Sequence, residues 1–196
     1  MNTPQAPFED ATGAVLIGGR SKRLGRDKVI LTYGEKPLAA FMHGLLQDLF
    51  GQVLLVGHTR HELDALGLVS VPDAFPGKGV LGGIYTALTL SSEPYVFVTG
   101  ADMPFLTPGL ITRILDLRHA ADAVIPRGVG GFEPLCAVYS KSCTEKVRQS
   151  LDEGVLKILP ALEGLAIESP VIIPAPGDPD PFFNINTVED WEKLQS

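Results

Sequence analysis

Apolar residues along this chain fall into short continuous runs separated by stretches of helical period. Runs over residues 13–17, 53–56, 69–71, 95–99, 123–125, 135–139 and 171–173 are too short to fill a helix, and most stop at Gly or Pro. That is the pattern of strands buried on both faces. Between them, Leu38, Phe41, Met42, Leu45, Leu46 and Leu49 recur at spacings of three and four, as do Leu110, Ile111, Ile114 and Leu117. Each set lies on one face of a helix. Further helices are predicted over 84–90, 142–151, 155–162 and 188–194. The alternation of strand and helix predicts an α/β protein with a mostly parallel central sheet.

The polar, proline-containing residues 1–12 show no period, so they are expected to form a mobile, dispensable extension before a single domain over 13–196. A chain of 196 residues with 45% hydrophobic content can bury one sizeable core. The net charge of −7 argues against a nucleic-acid binder or a membrane-surface binder, either of which needs a broad basic face. No run of eighteen apolar residues occurs and the start lacks the pattern of a signal peptide, so a soluble, cytoplasmic protein with no membrane contact is expected. Cys136 and Cys143 fit neither a disulfide framework nor a zinc site and are read as reduced and structural. His58, His61 and Glu62 fit the exposed start of a helix better than a metal site.

One local exception to the acidic balance follows the first apolar run. Residues 14–17 open into Gly18 and Gly19, and then into Arg20, Lys22, Arg23, Arg26 and Lys28. Glycines uncover backbone N–H groups and the cations add charge, which together suit phosphate oxygens. A solvated basic turn has the same composition. The loop departs from the dinucleotide fingerprint and from the common P-loop alike, because Arg20 breaks the first and Arg26 stands where the second needs lysine.

Two further places read in more than one way. The glycine-rich stretch 75–83, which follows Asp73, either bares N–H groups at a helix start or is a plain turn. Asp102 follows the most continuous β-forming run, 95–99. Ligands bind at the carboxyl edge of open α/β sheets, so Asp102 is the best metal-ligand candidate, although Asp is also a common turn or cap residue. The loose stretch 127–131 is expected to be a mobile loop. Asn184 and Asn186 end a proline-rich loop, and Thr187 with Asp190 forms a capping box for the last helix.

The order Leu16-x-Gly18-Gly19-x-Ser21-x-Arg23-Leu24-Gly25-x-Asp27-Lys28 resembles the signature loop of the molybdopterin nucleotidyltransferases, the molybdenum cofactor guanylyltransferases in particular. Segments at 73–83, 133–139 and 184–190 are similar to later motifs of the same family, in the same order. The resemblance implies a three-layer Rossmann-like nucleotidyltransferase fold and transfer of GMP from GTP to the terminal phosphate of Mo-molybdopterin, with Mg²⁺ as cofactor. It implies catalytic roles for Lys28, Arg23 and Asp102, the last holding the metal. Nucleotide contacts are implied at Leu16, Ile17, Gly18, Gly19, Gly25, Lys28, Asp73, Gly83 and Asp102, with Asn184 and Asn186 closing the site or meeting the acceptor. Transient contacts with proteins that deliver the acceptor and receive the product would follow. Departures are Ile17, where the guanylyltransferases more often carry alanine, and Val56-Gly57-His58, which lacks an asparagine that some relatives place there. CTP as donor, a sugar or polyol phosphate as acceptor, or a nucleotide sensor without turnover are the competing readings.

Overall fold

The computed structural model describes residues 6–18, 31–58 and 61–195. In chain order its elements are β1 (Ala11–Leu16), β2 (Thr32–Tyr33), β3 (Lys36–Pro37), α1 (Leu38–Gln47), β4 (Val53–Val56), α2 (His61–Asp64), β5 (Ser70–Val71), α3 (Gly79–Leu90) and β6 (Tyr95–Gly100). There follow α4 (Pro108–Leu115), β7 (Ala123–Val124), β8 (Arg127–Gly128), β9 (Gly131–Phe132), β10 (Cys136–Ser140), α5 (Cys143–Glu153), α6 (Ile158–Ala161), β11 (Ile167–Glu168) and α7 (Val188–Gln195). A seven-stranded sheet runs in the order β11-β7-β10-β6-β1-β4-β5. Its pairings are parallel except those of β10, which runs antiparallel to both β6 and β7. No described helix is long and apolar enough to cross a membrane.

The continuous apolar strands are explained by helices on both faces. Phe97 of β6 packs into a cluster with Met42 and Leu46 of α1 and Ile111, Ile114 and Leu115 of α4. Its neighbours Val96 and Val98 face the other way, onto Leu81, Ile84, Ala87 and Leu88 of α3 and Val147 and Leu151 of α5. Successive residues of one strand therefore feed two cores, and the buried Thr99 keeps its hydroxyl bonded to the Gly100 carbonyl at 3.2 Å. The result is the three-layer α/β arrangement expected from the alternating pattern.

Several boundaries correct the sequence reading. The N-terminal segment packs earlier than the expected extension over 1–12 allows: β1 starts at Ala11, and Phe8 is only 7% exposed. Its N–H donates to the Leu49 carbonyl at 3.1 Å, its ring lies 6.1 Å from that of Phe50, and the Arg118 guanidinium sits 5.4 Å above it. Asp10 pairs with Arg118 at 3.0 Å, so an ion pair and an aromatic contact tie the same stretch down. The stretch 127–131, expected to be loose, is the β8–β9 hairpin, paired Arg127 to Phe132 and Gly128 to Gly131. Pairing at 171–173 reduces to a single bridge from Val171 to Arg127, while the edge strand β11 forms just before it. Pro170 and Pro174 flank this segment and prevent a longer ladder.

Phe8→Ala is expected to destabilise the protein by about 3 kcal/mol, the usual scale for deleting a packed aromatic ring. Urea unfolding measures it. A loss under about 0.5 kcal/mol, the range of ordinary surface substitutions, would return the segment to the status of a dispensable extension.

Candidate active site at the carboxyl edge of the sheet

The chain leaves β1 and β6 side by side. Leu16 is paired with Gly100, the Ala101 N–H donates to the Leu16 carbonyl at 3.3 Å, and the Ile17 N–H donates to the Val56 carbonyl at 2.8 Å. Gly18 and Asp102 therefore emerge as neighbours. From β1 the chain goes first to β4 and β5 on one side and then to β6 on the other, so the crevice between β1 and β6 is a topological switch point. Open α/β sheets bind ligands there.

Backbone crowding shapes this edge. Gly57, directly after β4, has φ +149°, and a Cβ on it would stand 3.0 Å from the Ile17 carbonyl carbon and 3.1 Å from the Gly18 nitrogen. Only glycine permits that approach. Among the described residues nothing lies within 4 Å of a Cβ built on Gly18, so they leave the volume in front of it open. Ile17 is fully buried in the core, so its bulk points away from that volume and only its backbone faces the edge.

The glycine-rich stretch after β5 differs from its sequence reading. Helix α3 begins at Gly79, five residues before the expected start at 84, so Gly82 and Gly83 are helical. They serve close packing: a Cβ on Gly82 would lie 3.0 Å from both Asp73 carboxylate oxygens, and one on Gly83 would lie 3.1 Å from Leu16 Cδ1. The α3 N-terminus is thereby pressed against the end of β1 and the turn after β5, and its first N–H groups and positive dipole end favour an anion there. Asp73 holds this turn together. Its Oδ1 accepts from the Phe75 N–H at 2.8 Å and lies 3.1 Å from the buried Thr86 hydroxyl, which accepts from the Ala74 N–H at 2.9 Å and reaches the Gly82 carbonyl at 2.8 Å. The Phe75 ring meets Tyr85 edge-on at 5.1 Å beneath the Arg148 guanidinium, which pins the turn from its far side.

The last loop returns to Asp102. The Ile185 N–H donates to the Asp102 carbonyl at 3.0 Å, and Ile185 is buried with Leu31 and Leu38. Asn184 and Asn186 flank this anchor and so stand beside the carboxyl end of β6. Asn184 Nδ2 donates to the Phe182 carbonyl at 2.8 Å and Asn186 Nδ2 to the Asn184 carbonyl at 3.4 Å, while Thr187 and Asp190 close the expected capping box at 2.9 and 3.1 Å. Local turn bonds thus shape the segment, and one backbone bond ties it to Asp102.

The structure brings together Leu16, Ile17, Gly18, Asp73, Gly83, Asp102, Asn184 and Asn186. Gly19, Arg23, Gly25 and Lys28 lie outside the described residues. Thr86 and Phe182 were not singled out in the sequence, and Gly57 stood there only within the Val56-Gly57-His58 departure. Gly57 carried a signal, a glycine directly after a strand, whereas Thr86 acts through the nearby Asp73 turn and Gly82, and Phe182 through Gly128, far along the chain.

A glycine turn and a carboxylate at the switch point of a parallel α/β sheet, beside a helix N-terminus, define a nucleotide-handling α/β protein. The chain belongs to the MobA-like NTP transferase domain family, whose model matches residues 13–165. A probable molybdenum cofactor guanylyltransferase from Pyrococcus furiosus is 37% identical over 197 residues, covering 94% of this chain and 96% of that protein. A molybdenum cofactor guanylyltransferase from Desulfosudis oleivorans is 33% identical, with 96% of each chain covered. The crystal structure of molybdopterin-guanine dinucleotide biosynthesis protein A from Archaeoglobus fulgidus superposes with a TM-score of 0.77 at 26% identity, covering 93% of this chain and 96% of that one.

Near the hairpin, burial pushes the Glu133 carboxyl up to about 7, and the charge of Asp180 adds to the shift. The folded carboxyl keeps its proton through the range from the ordinary 4.5 to about 7 in which the unfolded one loses it, so stability falls as pH rises through that window. Glu133 is partly solvated, which screens the effect. Glu133→Gln should leave the melting temperature unchanged near pH 4 and raise it relative to the parent above pH 7. Equal shifts at both pH values would assign the difference to packing instead of charge.

Proposed function

We propose that this protein transfers GMP from GTP to the terminal phosphate of Mo-molybdopterin and releases pyrophosphate. The observation that carries the reading is that β1 and β6 end side by side, Leu16 opposite Gly100, so that Gly18 and Asp102 follow at one sheet edge, in a chain whose relatives are named for guanylyl transfer. An acceptor phosphate oxygen forms the new bond to the α-phosphorus of GTP as the bond from that phosphorus to the bridging oxygen breaks. Two polyanions must meet, so catalysis consists of neutralising charge and aligning the attacking and leaving oxygens. The acceptor phosphate is already ionised near neutral pH, and no side-chain nucleophile is required.

Backbone at Leu16, Ile17, Gly18, Gly19 and Gly25 seats the triphosphate, aided by the α3 N-terminus through Gly83 and by the turn that Asp73 braces. Lys28 and Arg23 carry positive charge to the transferring phosphoryl group and to the departing pyrophosphate. Asp102 supplies the hard carboxylate oxygen that suits Mg²⁺, a cation that takes one or two protein carboxylates and fills its remaining positions from phosphate and water. Bound there, Mg²⁺ supplies charge neutralisation at the phosphate oxygens. Asn184 and Asn186 close the site beside Asp102.

Pyrophosphate release with GTP, CTP or ATP, in the presence and absence of Mo-molybdopterin, tests the reading. GTP should be preferred, and release should require the acceptor. A preference for CTP would keep the reaction class and replace the donor, and nucleotide binding without release would leave only a sensor. Asp102→Asn should keep the fold and lower turnover at least 100-fold, the scale for removing a preorganised electrostatic group, while triphosphate binding weakens less. Gly18→Ala places a methyl group in the open volume before β1 and should depress GTP use more than CTP use, since the purine needs the room. Equal losses with both donors would make Gly18 a purely conformational residue.

A further inference from the structure

The β8–β9 hairpin is joined to the closing segment by one close contact. Phe182 is 4% exposed, and a Cβ on Gly128 would lie 2.5 Å from its Cδ2 and 3.1 Å from its Cε2. The ring therefore rests on the bare backbone of Gly128, whose φ lies outside the left-handed region, so alanine would be refused there by the ring alone. Phe182 is also where the segment is shaped. Its N–H donates to Asp180 Oδ1 at 3.0 Å, its carbonyl accepts from Asn184 at 2.8 Å, and the next residue, Phe183, meets Phe105 at 5.7 Å. Three residues past Phe182, Ile185 binds the Asp102 carbonyl.

We propose that Gly128 and Phe182 are positioning residues for the transfer reaction: the seat of the ring on the hairpin sets where Asn184 and Asn186 stand relative to Asp102. The inference rests on the proposed function for its kinetic arm only. The chain of contacts is short, namely a buried ring, a turn closed by Asp180, and a backbone bond to the Asp102 carbonyl. Among the described residues, the contacts of the Phe182 ring do not include Gly18 or the α3 N-terminus, to which the proposed function assigns the triphosphate.

The test compares Gly128→Ala, Gly130→Ala and the double variant Gly128→Ala with Phe182→Leu. Gly130 is the internal control, since a Cβ there meets only Glu133 Oε1 at 3.8 Å, an ordinary contact. The single tryptophan, Trp191, packs with Ile185 in the small cluster under the segment and reports its position without any substrate. Gly128→Ala should shift Trp191 emission to the red and lower kcat on the order of ten- to a hundredfold, the cost of an ångström-scale misplacement, with GTP Kd changed less than about threefold. The double variant, with a smaller side chain against the new methyl group, should recover both emission and kcat to within about threefold of the parent. Gly130→Ala should match the parent. Parent-like emission and kcat in Gly128→Ala would overturn the proposal, as would a double variant that regains thermal stability without regaining kcat. Absence of GTP-dependent pyrophosphate release in the parent would instead defeat the guanylyl-transfer reading, and the emission shift with its rescue would still decide the coupling.

Discussion

The parallel placement of β1 between β4 and β6 is the constraint on which the rest of the site depends. Both registers end on Leu16, paired with Val56 on one side and with Gly100 on the other. Parallel neighbours cannot be joined by tight turns, so each connection must cross a face of the sheet and re-enter at the opposite end. The crossovers carry α1 and α3, and helices that run back over the sheet begin at the carboxyl edge. The α3 N-terminus reaches the end of β1 for that reason, packed against Leu16 through Gly83. The chemistry follows from connectivity before any particular side chain is considered.

Given that meeting point, glycines decide how closely the parts approach. Gly57 lets the turn after β4 lie against Ile17 and Gly18, Gly82 lets α3 lie against Asp73, and Gly83 lets it lie against Leu16. A sequence reading assigns glycines in such stretches to baring N–H groups for phosphate, and the Gly18 position retains that sense. The other three work by excluding a Cβ. Their effect is to place a helix N-terminus and a carboxylate turn within one site, and Thr86 fastens the arrangement by bonding both the turn and the helix.

Much of this was legible in the sequence because it depends on local pattern. The buried strands, the apolar faces of α1 and α4, the carboxylate after β6 and the capping box at Thr187 each follow from residues close together in the chain. Three features were not legible. The start of α3 was hidden because Gly79, Gly82 and Gly83 are weak helix formers, and packing against Leu16 and Asp73 outweighs that propensity. The β8–β9 hairpin was hidden because Gly128, Gly130 and Gly131 read as looseness, whereas Phe182, more than fifty residues on, gives Gly128 a packing reason. The anchoring of Phe8 depends on Phe50 and Arg118, which no local window includes.

The charge distribution shows why this economy of side chains suits the task. A chain of net charge −7 gains nothing from attracting polyanions over its whole surface, and a broad basic face would also draw nucleic acid. In the sequence the basic residues gather instead in the stretch from Arg20 to Lys28, and the positive end of the α3 dipole lies at the carboxyl edge. Backbone N–H groups held by sheet and helix need no reorganisation when charge builds on the transferring phosphoryl group, and they are most effective in a partly water-excluded crevice. Carboxylates fit the same site only where they have another function. Asp73 is used up bracing a turn, and Asp102 follows β6 at the same edge. An acidic protein can therefore meet a polyanion at this edge, because main-chain N–H groups at a helix N-terminus supply positive charge there without a broad basic face.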